Sequence, residues 1–216
     1  MQVDHIFVFS NKGQEANELV NFGLVEGSGR VHSGLGTANR RFFFDDFYLE
    51  ILWVENESES KSENTSLLNI WERSNFKYNN YWPFGLCLKN TASSDPLFVK
   101  ALKFQADYHP EGKFMEVFTN EEQSYLPWFF RLPAIPGGKK NLNEPTNRGS
   151  LGIEKLTKAI FEIQTTELDD RFVDMIQGNS VVEFHVSSRS FLILEFDNMQ
   201  KKMVRRFEKS GIEIRY

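Results

Sequence analysis

The chain alternates short apolar runs with polar, turn-rich stretches, and the apolar runs switch between two spacings. Val3-Asp4-His5-Ile6-Phe7-Val8-Phe9 is β-branched and aromatic, which predicts a strand. From Asn11 to Gly23 the spacing changes. Ala16, Leu19, Val20 and Gly23 fall on one helix face, Asn11 and Gln14 resemble a capping box, and Gly23 supplies the stop. A glycine- and serine-rich stretch over 27–36 follows. Thr37 to Phe44 and Phe47 to Val54 then predict two strands joined by Asp45-Asp46, the spacing of a tight hairpin. The order is β-α-β-β-β.

Two polar tracts divide what remains. Glu55 to Asn64 is charged and serine-rich and predicts a solvated loop, while Gly137 to Ser150 carries turn residues almost throughout and predicts a linker. Between them, Phe84 to Leu88 predicts a strand and Asp95-Pro96 the capped start of a helix whose apolar face is Phe98, Ala101 and Leu102. Phe114 to Phe118 and Trp128 to Leu132 predict two more strands, with a turn at His109-Pro110-Glu111-Gly112.

Beyond the second tract, Leu156 to Ile163 fits both periods, and its β formers favour a strand. Leu168, Phe172, Met175 and Ile176 mark a helix face stopped by Gly178. Val181 to Val186 and Phe191 to Phe196 are expected to pair across Ser187-Ser188-Arg189-Ser190, and Met199 to Ser210 to form a basic helix ending at Gly211.

A β-α-β-β unit thus recurs in segments 1–56, 80–135 and 153–216. The prediction is an α+β fold: a curved, mixed, antiparallel-rich sheet from paired βαβββ modules with flanking helices. The third segment should add strands beside or beyond the first pair. The tight joins exclude a parallel doubly wound sheet.

Composition narrows the functional classes. A chain of 216 residues suits one domain, or small modules sharing a core. With 40% hydrophobic and 25% charged residues, wholesale disorder and a fibre are excluded. The 21 Phe, with 4 Trp and 6 Tyr, favour β-rich packing and an aromatic-lined cavity. A net charge of -5 argues against a broad nucleic-acid surface. Cys87 is the single cysteine, which excludes an internal disulfide and a cysteine zinc cage. No apolar run approaches a membrane span and no signal-peptide pattern opens the chain, so a cytoplasmic protein without membrane contact is expected.

Few residues invite chemistry. His5 shares its strand face with Val3, Phe7 and Phe9, and Glu50 shares its face with Tyr48 and Leu52. An ionised carboxylate among such neighbours needs a cation or a hydrogen-bond donor. A neutral imidazole beside it suits Zn, Fe(II), Mn or Ni, while the plainer alternative is a hydrogen bond between the two residues or to a neighbouring strand. His32, the Gly34-Leu35-Gly36 loop, Asn39 and Arg40 form a second cluster. There Arg40 could grip a carboxylate or phosphate, or the whole could be a tight turn with surface side chains. The glycine pair is no dinucleotide fingerprint, and G-x-S-x-G and H-E-x-x-H are absent.

VDHIFVFS, HSGLGTANR and YLEIL resemble the vicinal oxygen chelate superfamily of glyoxalase, bleomycin-resistance and extradiol dioxygenase proteins. LPWFFRLP is similar to its glyoxalase-like branch. The resemblance implies a cup made of two modules, with a divalent metal on its concave face held by His and Glu from first and last strands. Here those are His5 and Glu50. Aligning the third segment by strand order sets Lys158 opposite His5 and Glu195 opposite Glu50. Glu195 is then a third ligand or the general base, whereas a protonated Lys158 cannot ligate. If the second segment completes the cup instead, His109 and Glu116 are the available groups.

The function so implied is a metal-dependent isomerase or lyase acting on a small oxygenated metabolite, with Glu50 or Glu195 as base and with His32, Asn39 and Arg40 touching the substrate. The rival is a non-catalytic small-molecule binder of the bleomycin-resistance type. A small-molecule ligand and a homodimer are the partners considered.

Overall fold

The computed structural model describes residues 1–118, 124–134, 144–168 and 170–216. Strand β1 (Val3–Phe9) is followed by helix α1 (Ala16–Phe22), β2 (Arg30–His32), β3 (Thr37–Phe43) and β4 (Tyr48–Val54). Then β5 (Phe84–Leu88) precedes β6 (Leu102–Phe104), β7 (Met115–Phe118) and β8 (Trp128–Arg131). These eight strands form one curled sheet in the order β2-β3-β4-β1-β5-β8-β7-β6.

That order reads the same from both ends. In the first half β1 lies parallel to β4, and in the second β5 lies parallel to β8, each flanked outward by antiparallel strands. The halves join where β1 meets β5 antiparallel, His5 opposite Cys87 and Phe7 opposite Gly85. A side chain on Gly85 would strike the Phe7 ring at 2.0 Å, so glycine is what lets the seam close over that ring. Residues 80–135 therefore complete the cup with residues 1–56.

The third segment builds a sheet of its own. β9 (Leu156–Gln164), β10 (Val182–Ser187), β11 (Phe191–Phe196), β12 (Val204–Phe207) and β13 (Ile212–Arg215) lie in the order β10-β9-β11-β13-β12, with helix α6 (Asp170–Gln177) crossing from β9 to β10. Ile6, Val8, Leu49, Ile51, Phe84 and Leu86 from the convex face of the cup share one core with Ala159, Phe161, Leu192, Leu194, Ile212 and Ile214. Each fully buried aliphatic or aromatic side chain there contributes about 1.5–3 kcal/mol. A second cluster fills the concave side, with Phe7, Phe9, Leu52, Trp128 and Phe130. Sequence alternation sorts β1 between the two: Ile6 and Val8 go to the shared core, Phe7 and Phe9 to the cup.

The mixed α+β architecture stands, and several local expectations change. The helix expected over Asn11 to Gly23 begins only at Ala16. Gly23 ends it in the left-handed conformation at φ 111°. The tract Glu55 to Asn64 contains α2 (Glu57–Ser60), capped by the Asn56 side chain, and the start of α3 (Glu63–Ser66); α4 (Ile70–Ser74) follows. The helix expected at Asp95 is a single 3₁₀ turn, Asp95–Phe98, because Leu102 and Phe104 are taken by pairing with Val117 and Met115.

Two corrections concern the third segment. β10 and β11 do not pair with each other. β9 stands between them, parallel to β10 and antiparallel to β11, because Ala159, Phe161 and Ile163 make it the strand with most to gain from neighbours on both sides. The basic helix expected over Met199 to Ser210 is instead the hairpin β12–β13, turned at Gly211 (φ 66°). In this hairpin Phe207, Ile212 and Ile214 reach the core while Arg206 meets Glu213. Of the expected linker, 137–143 lies outside the described residues. Its end is docked: the Asn147 side chain accepts from Val25 N–H at 2.7 Å and donates to the Phe43 carbonyl at 2.9 Å, leading into α5 (Arg148–Leu151). The Phe172 side chain also lies outside what is described. Among the described residues no helix is long and apolar enough to cross a membrane.

Candidate functional site

A cavity of about 100 Å³ lies on the concave face of the cup. β1 and β4 run parallel at its centre, with Phe7 level with Glu50 and His5 level with Tyr48. Their alternation brings His5, Tyr48 and Glu50 into the cavity.

His5 is 3% exposed and fixed on three sides. Its Nδ1 is 2.8 Å from Asp4 Oδ1, its ring stacks on Tyr48 with centroids 4.3 Å apart, and the edge of Phe130 lies at 5.3 Å. Nε2 is thereby left facing Glu50, at 3.5 Å from Oε2. A carboxylate on the far nitrogen of an imidazole fixes the orientation of the ring.

Glu50, 5% exposed, is held by its other oxygen, Oε1, which accepts a short hydrogen bond from Asn39 Nδ2. Asn39 Oδ1 accepts the backbone N–H of Arg30 at 2.7 Å, so β2 and β3 orient that amide. His32 Nδ1 contacts Thr37 Oγ1 at 2.9 Å, and its Nε2 lies 3.5 Å from Asn39 Nδ2. Burial holds the His32 pKa below the usual range; Glu50 opposes this, and Arg30, His5 and Arg41 reinforce it. Burial, then Glu50, pushes the phenols of Tyr48 and Tyr108 up, so both are neutral donors.

The cavity thus gathers His5, Glu50, His32, Asn39 and His109, and leaves other candidates out. Arg40 points the opposite way from Asn39 and forks onto Glu26, with Gly13 and Asn17 as further partners. Its neighbour Arg41 lines the cavity instead. Strand alternation was the missed signal, since Thr37, Asn39 and Arg41 share a face and Arg40 does not. Arg30 is a second missed residue, readable as the strand neighbour of His32.

Glu195 does not reach the cavity. It stands on β11 with Ile193, on the face turned away from the shared core, and pairs with Arg215 at 2.9 Å. Lys158 pairs with Glu183 on the same outer face. Two sheets therefore separate Glu195 from the His5 and Glu50 pair, and the expected third ligand or base is not brought to it. Glu116 is engaged by Arg131.

Three ligand-type atoms, from Asp4, His5 and Cys87, lie within 4.8 Å of one another. Burial and then Asp4 push the Cys87 thiol well up, so it is a neutral thiol beside the imidazole and a weak donor to a metal. The donors better matched to an ion are His5 Nε2 and Glu50 Oε2. Two ligands on one ion, with bonds near 2.0–2.2 Å, stand roughly 3–3.5 Å apart.

The second half of the cup differs from the first. Where β4 presents Tyr48 and Glu50 to the cavity, β8 presents Trp128 and Phe130. The Trp128 indole N–H and His109 Nδ1 are buried with no hydrogen-bond partner among the described residues.

Fold and cavity together define a cup of two joined modules. Residues 3–91 match the family described as Glyoxalase-like domain, so this part of the chain is similar to that family. A hypothetical protein from Staphylococcus aureus has the same fold along its length, with a TM-score of 0.59 at 12% identity over 99% of this chain and 98% of that one. A triple mutant of 4-hydroxymandelate synthase from Streptomyces coelicolor gives a TM-score of 0.41 at 9% identity, over 98% of this chain and 61% of that one. No curated protein matches the chain.

Proposed function

We propose that the cavity is a glyoxalase-type active site, in which His5 and Glu50 act on a small oxygenated metabolite by isomerase or lyase chemistry. The observation that carries this reading is the 3.5 Å approach of His5 Nε2 to Glu50 Oε2 inside a buried aromatic cup, with Asp4 on the other imidazole nitrogen. Neither group is there for packing, and each has one atom committed to a partner and one aimed at the other.

Glu50 Oε2, the oxygen not held by Asn39, takes a proton from the substrate carbon and returns it. The aromatic walls exclude water from that transfer. Asn39 fixes the carboxylate, and the neutral phenol of Tyr48 adds a donor beside it. A divalent metal fits the His5 and Glu50 donor pair, and when bound supplies Lewis acidity toward a substrate oxygen.

The alternative, a non-catalytic binder, draws support from the second module, where Trp128 and Phe130 stand in place of ligating side chains. Protein purified without chelator separates the two. The enzyme reading expects near-stoichiometric divalent metal, lost in His5→Ala and Glu50→Gln, and a melting midpoint raised by added metal. Metal far below stoichiometric, with an unchanged midpoint, favours the binder.

A further inference from the structure

The cavity carries more positive charge than its proposed chemistry uses. Arg30 and Arg41 both line it, and Glu50 is the single carboxylate among its lining residues. Several arginines elsewhere are closely matched. Arg40 is forked onto Glu26, Arg131 onto Glu116 and Asp95, Arg189 onto Glu162, and Arg206 and Arg215 share Glu213.

The two cavity arginines are matched less closely. Arg30 has no ion pair among the described residues; its guanidinium rests 5.7 Å over the Tyr108 ring. Arg41 is aimed by Ser28, whose carbonyl accepts from Nε at 2.7 Å and whose hydroxyl accepts from Nη2 at 2.7 Å, and its nearest carboxylate, Glu144, is 3.9 Å away. It also lies over Phe43 and Tyr48, which steers it along the cavity wall. Arg30, a planar and permanently charged fork with no ion pair among the described residues, is suited to receive a carboxylate from a ligand, and Arg41, held only loosely by Glu144, can share it.

The orphaned donors agree. The Trp128 indole N–H is buried with no acceptor among the described residues, and a buried donor left unmade costs about 1–3 kcal/mol. An acceptor oxygen on a ligand would remove that cost. Size agrees: about 100 Å³ compares with the roughly 150 Å³ apolar cavity known to hold benzene, so the part of the occupant inside the cup is about a single ring or a few carbons.

We infer that the cup selects a small organic monocarboxylate, its carboxylate held at the mouth by Arg30 and Arg41 and its carbon skeleton packed against Phe7, Trp128 and Phe130. This deepens the proposed function, since it places the other end of the same ligand at His5 and Glu50. It does not depend on a metal or on turnover.

The test is direct binding, by ligand-observed NMR or calorimetry, of three acids against their neutral isosteres: pyruvate and pyruvamide, lactate and lactamide, benzoate and benzamide. At least one acid should bind ten-fold or more tightly than its amide. Arg30→Gln, an exposed position whose loss does not threaten folding, should weaken the acid about ten-fold and leave the amide unchanged. Rising salt should narrow the gap between acid and amide. Equal binding of acid and amide, acid binding untouched in Arg30→Gln, or no binding of any acid overturns the inference. The glyoxalase reading fails separately. If the acid binds and Arg30→Gln weakens it while His5→Ala and Glu50→Gln change neither metal content nor turnover, the anion site stands and the enzyme does not.

Discussion

The concave face of the cup and the outer face of the third-segment sheet both array charged side chains on β-strands, and they treat charge oppositely. On the outer face charges are arranged in pairs and ladders. Lys158 meets Glu183, which meets His185; Arg189 meets Glu162; Glu195, Arg215, Glu213 and Arg206 run in one chain across three strands. In the cup, His5 and Glu50 stand at 3.5 Å, Arg41 reaches Glu144 only at 3.9 Å, and Arg30 has no ion pair and the Trp128 indole N–H no acceptor among the described residues. Paired charges hold a surface together. Incompletely paired ones inside a cavity are what the proposed ligand would complete.

The largest effect should come from breaking the cup pair. Under the glyoxalase reading Glu50→Gln removes the proton acceptor while preserving shape, and kcat/KM on whatever substrate the wild type turns over should fall about 10²–10⁴-fold, the usual range for a positioned general base. Its melting midpoint, compared with metal-stripped wild type, should move little. A variant that keeps full turnover, or that loses its fold, would return Glu50 to a structural role.

The next effect belongs to the outer face. Glu213 is 1% exposed and faces both Arg206 and Arg215; burial alone would raise its pKa, and the two guanidiniums outweigh it and hold the carboxyl low. Glu213→Gln should cost about 2 kcal/mol in denaturant unfolding, below the 3–5 of a fully buried pair because both arginines reach solvent. Ligand binding in the cup should be untouched. Because its folded pKa is depressed, the Glu213 contribution is present above the unfolded value and fades as pH falls through the folded one.

A smaller effect sharpens the same contrast by pH. His32 is held below its ordinary pKa of 6.5, so between that value and its folded pKa the unfolded chain binds more protons. Stability should therefore be full above about pH 6.5 and decline on acidification below it, by at most about 1.4 kcal/mol per unit of downward shift. His32→Gln should flatten that limb of a melting-midpoint profile. An unchanged limb would show that His32 does not report the buried cup. The smallest effect is Glu195→Gln: turnover unchanged and under about 1 kcal/mol of stability lost, as for a partly exposed ion pair. Any large loss of activity there would reopen the cup to the third segment.

Much of this was legible in the order of residues. The apolar β1 with His5 in its centre, the Tyr48-Leu49-Glu50 strand, the Asn39 strand between them and the stop at Gly23 are local patterns, and local patterns set which face a side chain takes. Alternation gave the face that His5 and Glu50 each take on its own strand, and the family resemblance put the two together. The choice of Arg40 over Arg41 was an error of phase that the alternation itself would have corrected.

What the sequence could not decide was which segment completes the cup. Three segments share a strand, a helical or turn element and further strands. The order along the chain does not say that β5 rather than β9 docks beside β1. Only the tertiary structure sets Gly85 under the Phe7 ring and buries Ala159, Phe161 and Ile163 against the convex side, so that Glu195 faces outward. The same holds for the tail, where a basic run with helical spacing becomes a hairpin because Ile212 and Ile214 find the shared core and Arg206 finds Glu213. Side-chain alternation is a property of one strand and is written in its residues. The neighbour a strand chooses depends on apolar surface supplied from far along the chain, and that is settled only when the whole core closes.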